Sequence, residues 1–289
     1  MKSFSISLLV LVAFSAKAQT SYVGFVDKYP IRLVTNVHSD GFARAVYAYD
    51  SQDTPINIDG TLKNGKLELL ETDAKGFAQA RLVFRKFNGS LDEVSGEWIN
   101  RDSTRRLKIV LTKQFTIDYD ETTWANREIL QSTSTDKHYF ILLISKKNAD
   151  GDPRVSGVKI LEKKTDRLIQ EIDLDCQLQG LDNVSVGDFN FDGFKDFSVF
   201  EDSYAGANTS SIYILWQPTS GNYLVSDFSG TSLEFNSNLK QVFETNECCG
   251  GRGKMTASYK VVDNKMVLIK KKCLEYDEKK RGYIEVKCD

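Results

Sequence analysis

The chain has 289 residues, of which 41% are hydrophobic and 27% are charged, with 19 glycines and 4 prolines. This composition is typical of a globular protein and excludes collagen, a disordered tail and a coiled coil. Lys and Arg total 38 against 40 for Asp and Glu, so the net charge is −2 and a nucleic-acid partner is not expected. The two histidines, His38 and His138, leave little material for a histidine-based catalytic centre.

Residues 1–18 have the pattern of a bacterial secretory signal peptide. Lys2 supplies a positive start, residues 8–14 form a short apolar run, and Ala16-Lys17-Ala18 is a small-residue cleavage site. The apolar run is too short to span a bilayer, and no later segment is apolar enough to do so, so a membrane-spanning protein is not expected. The pattern predicts cleavage after Ala18 and a periplasmic or secreted protein, in a compartment where disulfides form readily.

Short alternating strands separated by turn residues are predicted over residues 19–118. They fall at residues 45–49, 55–62, 67–70, 77–84, 96–99 and 107–111. Asn64-Gly65 joins two of them and predicts a hairpin, because both turn residues tolerate a positive φ. Strands spaced by roughly 10 residues favour a small antiparallel β-barrel or sandwich, to which the sequence attaches no role.

Residues 119–136 are polar and lack clear periodicity, so they are predicted to be a linker, with a short helix over 122–131 as one option. Strands resume in a C-terminal domain of residues 137–289, at 138–144, 158–162, 168–172, 181–187, 197–200, 212–216, 222–225, 255–262 and 265–271. Two of the resulting hairpins are alike and lie roughly 50 residues apart, the period of a propeller blade, although two independent hairpins fit equally well. The sequence as a whole predicts an all-β fold.

The segment 188–196 carries the sharpest motif of the sequence. Oxygen-bearing side chains occupy its relative positions 1, 3, 5 and 9, and Gly193 at position 6 permits a sharp turn. The predicted Ca²⁺ ligands are the side chains of Asp188, Asn190, Asp192 and Asp196 and the backbone carbonyl of Phe194. An EF-hand would place Glu at position 12, where this chain has Val199, and the flanks are strands. The pattern therefore predicts a calcium loop between two strands; an acidic turn without metal is the alternative.

Residues 184–199 resemble the FG-GAP repeat of β-propellers, and residues 137–289 resemble a family of secreted bacterial calcium-binding proteins. Besides the loop, the likeness rests on a following polar loop, a Tyr-rich hairpin and the pair Cys248-Cys249. That family includes periplasmic immunity proteins, which bind calcium in a small propeller-like β domain and block lysozyme-like peptidoglycan hydrolases. The resemblance implies this fold and this inhibitory function for the C-terminal domain only.

Two polar segments are candidate contacts with such an enzyme. The first is the loop 201–211, in which Asp202, Ser203 and Tyr204 would enter the substrate cleft, with a calcium ion at the base of the loop to hold it rigid. The second is Ser220-Gly221-Asn222-Tyr223, where Ser220 and Tyr223 match the Ser-Gly-x-Tyr motif of periplasmic lysozyme inhibitors. An ordinary surface loop explains the first segment about as well, and a hairpin turn before a core tyrosine explains the second.

All five cysteines lie in the second half of the chain. They are Cys176, Cys248, Cys249, Cys273 and Cys288. A hairpin that turns near Lys280-Arg281 would place Cys273 opposite Cys288, whereas a competing bridge joins Cys273 to Cys248 or Cys249. An odd number of cysteines leaves at least one thiol free.

Lysine runs at 270–272 and 279–281 favour an edge strand protected by lysines, with a binding patch as the alternative.

No motif marks a nucleophile with its base, a carboxylate pair or an open metal site, so a non-enzymatic role is expected. The leading hypothesis is a periplasmic inhibitor of a lysozyme-like peptidoglycan hydrolase that acts by loop insertion. The alternative is a calcium-stabilised adhesion or carbohydrate-binding module of the cell envelope.

Overall fold

The computed structural model describes residues 18–117 and 122–288, and these residues are almost entirely strands. The predicted all-β class is therefore confirmed. Residues 1–17, which hold nearly all of the predicted signal peptide, lie outside the described residues. No helix within the described ranges is long and apolar enough to cross a membrane.

Eight antiparallel strands form a closed barrel, the first of the two forms predicted for the N-terminal domain. The strands are β1 (Ala18–Val26), β2 (Tyr29–Val37), β3 (Phe42–Tyr49), β4 (Ile56–Lys63), β5 (Lys66–Thr72), β6 (Ala78–Phe84), β7 (Glu93–Asn100) and β8 (Arg106–Thr116). Pairing of β1 with β8 closes the barrel. Asn64 and Gly65, with φ of 50° and 73°, make the predicted tight turn between β4 and β5.

The barrel interior is filled with apolar side chains, as expected for a barrel of this size. Closure brings neighbouring backbones close at two glycines. A Cβ at Gly24 would lie 2.0 Å from the carbonyl oxygen of Val110, and one at Gly60 would lie 1.8 Å from that of Glu68. Only glycine fits at these two crossings, since no other residue lacks a Cβ.

Three small antiparallel sheets follow the barrel, each a meander of consecutive strands. Sheet 2 contains β9 (Trp124–Ser134), β10 (His138–Lys146), β11 (Arg154–Glu162) and β12 (Leu168–Gln177). Sheet 3 contains β13 (Val184–Gly187), β14 (Asp196–Ser203), β15 (Thr209–Gln217) and β16 (Asn222–Val225). Sheet 4 contains β17 (Glu234–Asn236), β18 (Gln241–Cys248), β19 (Gly253–Val262), β20 (Lys265–Asp277) and β21 (Gly282–Val286).

Strand β9 corrects the sequence prediction for residues 119–136. Residues 124–134 are neither linker nor helix, because they pair with β10, whose nine residues are all buried. Three consecutive residues of β9, 129–131, are buried as well. The polar composition of this segment hides the pairing, since what holds β9 is the apolar strand beside it and not its own periodicity.

The outer face of the barrel packs directly against sheet 2. Val34, Val46 and Ala48 of the barrel belong to the same buried cluster as Ile129 and Ile141 of sheet 2. Polar contacts add to the apolar ones: the Asn57 amide donates to the Ser132 carbonyl at 3.0 Å. The position of sheet 2 is therefore fixed against the barrel.

Asp53 is a buried carboxylate at this junction. It is 3% exposed, and its Oδ2 accepts a hydrogen bond from the Lys164 backbone N–H at 2.8 Å. Burial raises the pKa of Asp53 to about 6, although the hydrogen bond from Lys164 acts in the opposite direction. The folded protein therefore keeps the Asp53 carboxyl protonated at pH values where the unfolded chain has lost that proton.

We expect Asp53→Asn to remove part of the pH dependence of stability between about pH 4 and 6. A raised folded pKa means that the Asp53 proton favours folding at low pH, and this contribution is lost as pH rises through about 6. The asparagine keeps an acceptor for the Lys164 N–H. After allowance for solvent screening, the free energy of unfolding of the variant should come to exceed that of wild type by about 1–2 kcal/mol as the pH rises from 4 to 7. Urea unfolding of both proteins across this range measures the difference, and parallel curves would contradict the assignment.

The structure contains the Cys273–Cys288 disulfide, with a Cα–Cα distance of 5.2 Å. Of the two alternative bridges, the one between Cys273 and Cys288 is confirmed, but the register predicted for it is wrong by two residues. Cys273 pairs with Val286, and Tyr276 pairs with Tyr283, because the turn is centred between residues 279 and 280. Cys176 is buried as a free thiol, and Cys248 and Cys249 are exposed free thiols.

Candidate functional site

The loop between β13 and β14 holds the residues predicted to bind calcium. The backbone N–H of Asp192 donates to Oδ1 of Asp188 at 3.0 Å and to Oδ1 of Asn190 at 3.2 Å. The N–H of Gly193 donates to Oδ2 of Asp188 at 2.9 Å, and Gly193 has a φ of 91°. The first half of the motif is thus wrapped around its own backbone.

Asp196, the last predicted ligand, is fully buried at the start of β14. Its Oδ2 accepts from the Phe189 N–H and its Oδ1 accepts from the Trp216 N–H, both at 2.8 Å. Burial raises the pKa of Asp196 to about 6, and the negative charge of Asp192 acts in the same direction. Asp196 therefore ties the loop to strand β15.

The donor chemistry of the loop fits a hard cation, because every predicted ligand atom is an oxygen. A carboxylate oxygen that accepts one N–H also keeps a second lone pair for a cation. The spatial arrangement of these side chains supports a metal site less well than their chemistry does. Within residues 18–117 and 122–288, no cluster of three or more His, Cys, Asp or Glu side chains is arranged to hold a metal ion. Both oxygens of Asp188 and both oxygens of Asp196 already accept backbone N–H groups. Calcium binding therefore stays a prediction.

The calcium loop and the loop 201–211 lie at opposite ends of β14. The calcium loop precedes Asp196 and the polar loop follows Ser203, seven residue steps later. At about 3.3 Å per residue the two ends are roughly 23 Å apart. The prediction that a calcium ion lies at the base of the loop 201–211 is therefore wrong. The sequence order suggested proximity, but an extended strand separates its two ends.

The loop after β14 is instead held by hydrogen bonds to its neighbours. The N–H of Tyr204 donates to the Asn208 carbonyl at 2.9 Å, which closes the loop. Ser203 donates to the Gln177 side chain at 3.0 Å. Asn208 is 8% exposed, and it donates to the carbonyl of Glu247 at 2.6 Å and accepts from its N–H at 3.0 Å. The loop is therefore fixed to β12 and β18.

Tyr204 projects from this fixed loop into solvent. Its side chain is 53% exposed, and its hydroxyl lies 3.1 Å from the hydroxyl of Ser210. Beside it, Oδ1 of Asp202 accepts from the Ser203 N–H at 2.9 Å. The three residues that the sequence predicted here are thus adjacent at one end of sheet 3.

The segment Ser220–Tyr223 lies at the other end, beside the calcium loop. Ser220 is exposed in the turn between β15 and β16, and it donates to Asn222 Oδ1 at 2.5 Å. Tyr223 is only 4% exposed, and its hydroxyl lies 3.0 Å from Nδ1 of His138. The prediction that Tyr223 contacts a partner is therefore wrong, because its ring packs in the core between Trp216 and Phe197.

A small cleft of about 180 Å³ opens between this turn and the calcium loop. Its walls include Trp216, His138, Phe194 and Lys195. Burial lowers the pKa of His138, so that imidazole stays neutral at neutral pH. Sequence analysis missed this cleft, because its walls come from three separate hairpins.

Comparison with known proteins adds no identification. No protein-family model matches the chain, and no curated protein matches it. A solved structure described as "Structure of a Xanthomonas Type IV Secretion System related protein" is 12% identical, covers 94% of this chain and 99% of its own, and superposes with a TM-score of 0.26. A score this low carries no argument about fold or function.

Proposed function

We propose that this protein is a periplasmic binding protein that blocks a lysozyme-like peptidoglycan hydrolase by inserting the loop around Tyr204 into its substrate cleft. One observation carries the proposal: an exposed tyrosine, flanked by Asp202 and Ser203, stands on a loop that is hydrogen-bonded to two neighbouring strands. Such a residue offers a large rigid ring and a hydroxyl for hydrogen bonding.

The physical advantage of the loop is that it is ordered before it binds. Ordering a flexible loop at an interface lowers affinity, so a loop already fixed by Asn208 and Ser203 loses less conformational entropy. In the proposed complex the Tyr204 ring fills a sugar subsite. Its hydroxyl and the Ser203 hydroxyl then hydrogen-bond the catalytic carboxyl groups. No bond is made or broken, so inhibition is steric and reversible.

Two further elements belong to the proposal. The leader pattern in residues 1–18 supports export to the periplasm, where peptidoglycan hydrolases act. The oxygen donors of Asp188, Asn190 and Asp192 support a structural calcium ion that fixes the opposite end of sheet 3. The ion would stabilise the sheet, not the Tyr204 loop itself.

The second candidate is a carbohydrate-binding or adhesion module of the cell envelope. The observation that favours it is the cleft beside the calcium loop, where Trp216 and Phe194 present aromatic surface to a space of about 180 Å³. Aromatic rings bury the apolar faces of sugars. Binding to glycans that Trp216→Ala abolishes and Tyr204→Ala leaves intact would favour this function over inhibition.

We expect Tyr204→Ala to weaken inhibition of the target hydrolase at least about 30-fold, the effect of truncating an interface tyrosine worth about 2 kcal/mol. The measurement is the inhibition constant against a panel of lysozyme-like enzymes in a cell-wall turbidity assay. Tyr29→Ala is the matched control, since Tyr29 is exposed on the barrel and should leave inhibition unchanged. Absence of inhibition by the wild-type protein across the panel would contradict the proposal.

A further inference from the structure

The outer edge of β20 is only half covered. β20 runs for 13 residues, whereas β21 has five and pairs only with Cys273–Asp277. Over Lys265–Lys272, β20 pairs with β19 on its inner side, and no other described strand pairs with it. The outward N–H and C=O groups of this segment, which we call the open edge, therefore remain available to another strand.

A β-bulge aligns the lysines of the open edge on one face of sheet 4. β19 and β20 pair regularly up to Tyr259 and Leu268, and the register then shifts so that Ser258 faces Lys270. Ile269 is the extra residue. Without the shift, Lys265 and Lys270 would point to opposite faces, but the bulge places both on the same face.

Cross-strand pairing adds two lysines of β19 to that face. Lys260 faces Val267 and Lys254 faces Leu274, so alternate residues of β19 extend the same surface. The lysine face therefore comprises Lys254, Lys260, Lys265, Lys270 and Lys272.

Two of these five charges have ion-pair partners. Lys254 contacts Glu247 at 3.1 Å and Lys272 contacts Glu285 at 2.9 Å. Among the described residues, Lys260, Lys265 and Lys270 have no carboxylate within ion-pair distance. In a protein with a net charge of −2, this is a local excess of positive charge.

The opposite face of the open edge carries Met266, Leu268 and Lys271, so it is apolar except for one lysine. Leu268 is 52% exposed there, next to Tyr259 across the strand pair. The open edge thus combines unpaired backbone, a basic face and an exposed apolar side chain. A strand that fits it alternates acidic and apolar residues.

We propose that the open edge of β20 binds an extended acidic segment of another protein, which adds to sheet 4 as a sixth strand beside β20. Its acidic side chains would lie over the lysine face, near Lys265 and Lys270, and its apolar side chains would cover Leu268. The backbone hydrogen bonds of the added strand supply affinity, and the alternating charge supplies selectivity.

Two other occupants fit the open edge less well, one because of charge and one because of backbone hydrogen bonding. A second copy of this chain, paired edge to edge through β20, would bring two lysine runs about 5 Å apart, well within the screening length of about 8 Å at physiological salt. An anionic membrane would neutralise the lysines but would leave the backbone groups of the open edge without partners.

The test uses the full-length mature protein and a fluorescein-labelled peptide of alternating glutamate and valine, as long as the open edge. Fluorescence anisotropy should detect binding, and the double variant Lys265→Glu/Lys270→Glu should weaken it at least about tenfold. The double variant Lys75→Glu/Lys86→Glu in the barrel, where both lysines are also exposed, controls for the same change in net charge. Both lysines of the open-edge double variant are exposed, so its melting temperature should match that of wild type.

A second peptide separates strand addition from simple charge attraction. N-methylation of alternate backbone nitrogens keeps every side chain but removes the hydrogen-bond donors that face β20, and it should abolish binding. Hydrogen exchange should show protection of residues 265–272 by the unmodified peptide. Equal binding of the methylated peptide would overturn the proposal, as would absence of peptide binding or binding only to phosphatidylglycerol vesicles. The proposal is independent of Tyr204, so Tyr204→Ala should leave peptide binding unchanged.

Discussion

Phe197→Ala is expected to destabilise the protein by about 3–5 kcal/mol, the range for removing a buried aromatic ring. Phe197 is fully buried, and its ring centroid lies 4.6 Å from that of Phe140 and 5.0 Å from that of Tyr223. It therefore joins sheet 2 to sheet 3 directly beneath the calcium loop. The cavity left by alanine would loosen Asp196, the residue before it.

Phe194→Ala provides the matched control for this prediction. Phe194 lies three residues earlier, is 46% exposed, and contributes only its backbone carbonyl to the predicted calcium site. Its truncation should change stability by no more than about 0.5 kcal/mol. Thermal and urea unfolding measure both variants; at about 2–4 °C per kcal/mol, Phe197→Ala should lower the melting temperature by about 6–20 °C. Equal losses in the two variants would contradict the packing argument.

Calcium is expected to raise the melting temperature of the wild-type protein by about 5–10 °C. A ligand at a hundredfold excess over its dissociation constant adds about 2.7 kcal/mol to the folded state. Asp192→Ala should abolish this gain, because Asp192 supplies one of the central oxygens of the loop. In the folded chain that side chain also accepts from the Phe194 N–H at 2.9 Å.

Asp192→Asn distinguishes the charge of this residue from its hydrogen bond. The asparagine keeps an oxygen for the Phe194 N–H but carries no charge, so it should fold like wild type without calcium and gain less when calcium is added. Differential scanning fluorimetry in calcium, magnesium and chelator measures all three proteins. A wild-type melting temperature that is the same in calcium and in chelator would contradict the metal site.

Local patterns predicted the individual strands well, because alternation and turn chemistry act over a few residues. Every strand named from the sequence has a counterpart, and Asn64-Gly65 makes the turn that its tolerance of positive φ predicts. Strand β9 was missed for the opposite reason. Its pattern is irregular, and its pairing with β10 depends on burial of residues that are adjacent only after folding.

For the candidate site as well, the sequence could address contacts between near neighbours but not the placement of distant residues. The spacing predicted that the oxygens of residues 188–196 fold inward around one cation, which stays a prediction; the contacts seen within 188–193 span at most five positions. The spacing could not place Tyr204 relative to that loop, because the rigid extended strand between them decides the distance. Nor could it decide between the two explanations of Tyr223, an exposed contact and a core tyrosine, since the burial of Tyr223 depends on His138, 85 positions earlier in the chain.

The cysteines of the C-terminal half show what residue counting could and could not predict. Counting residues from an assumed turn gave Cys273–Cys288 as one of two alternative bridges, and the structure contains it because both cysteines lie near the ends of one short hairpin. The observed register differs by two residues from the predicted one. Cys273 lies opposite Val286, and the bridge runs diagonally to Cys288, two residues further along the chain.

The sequence by itself determined the all-β class, most strands and the tight turn at Asn64-Gly65, since all of these depend on interactions between near neighbours. Only the tertiary structure decided that the barrel and sheet 2 share a core. It also decided that the loop 188–196 and Tyr204 stand at opposite ends of β14, and that a bulge gathers the lysines beside an open edge. These features depend on strand pairing between distant residues, which no local pattern encodes.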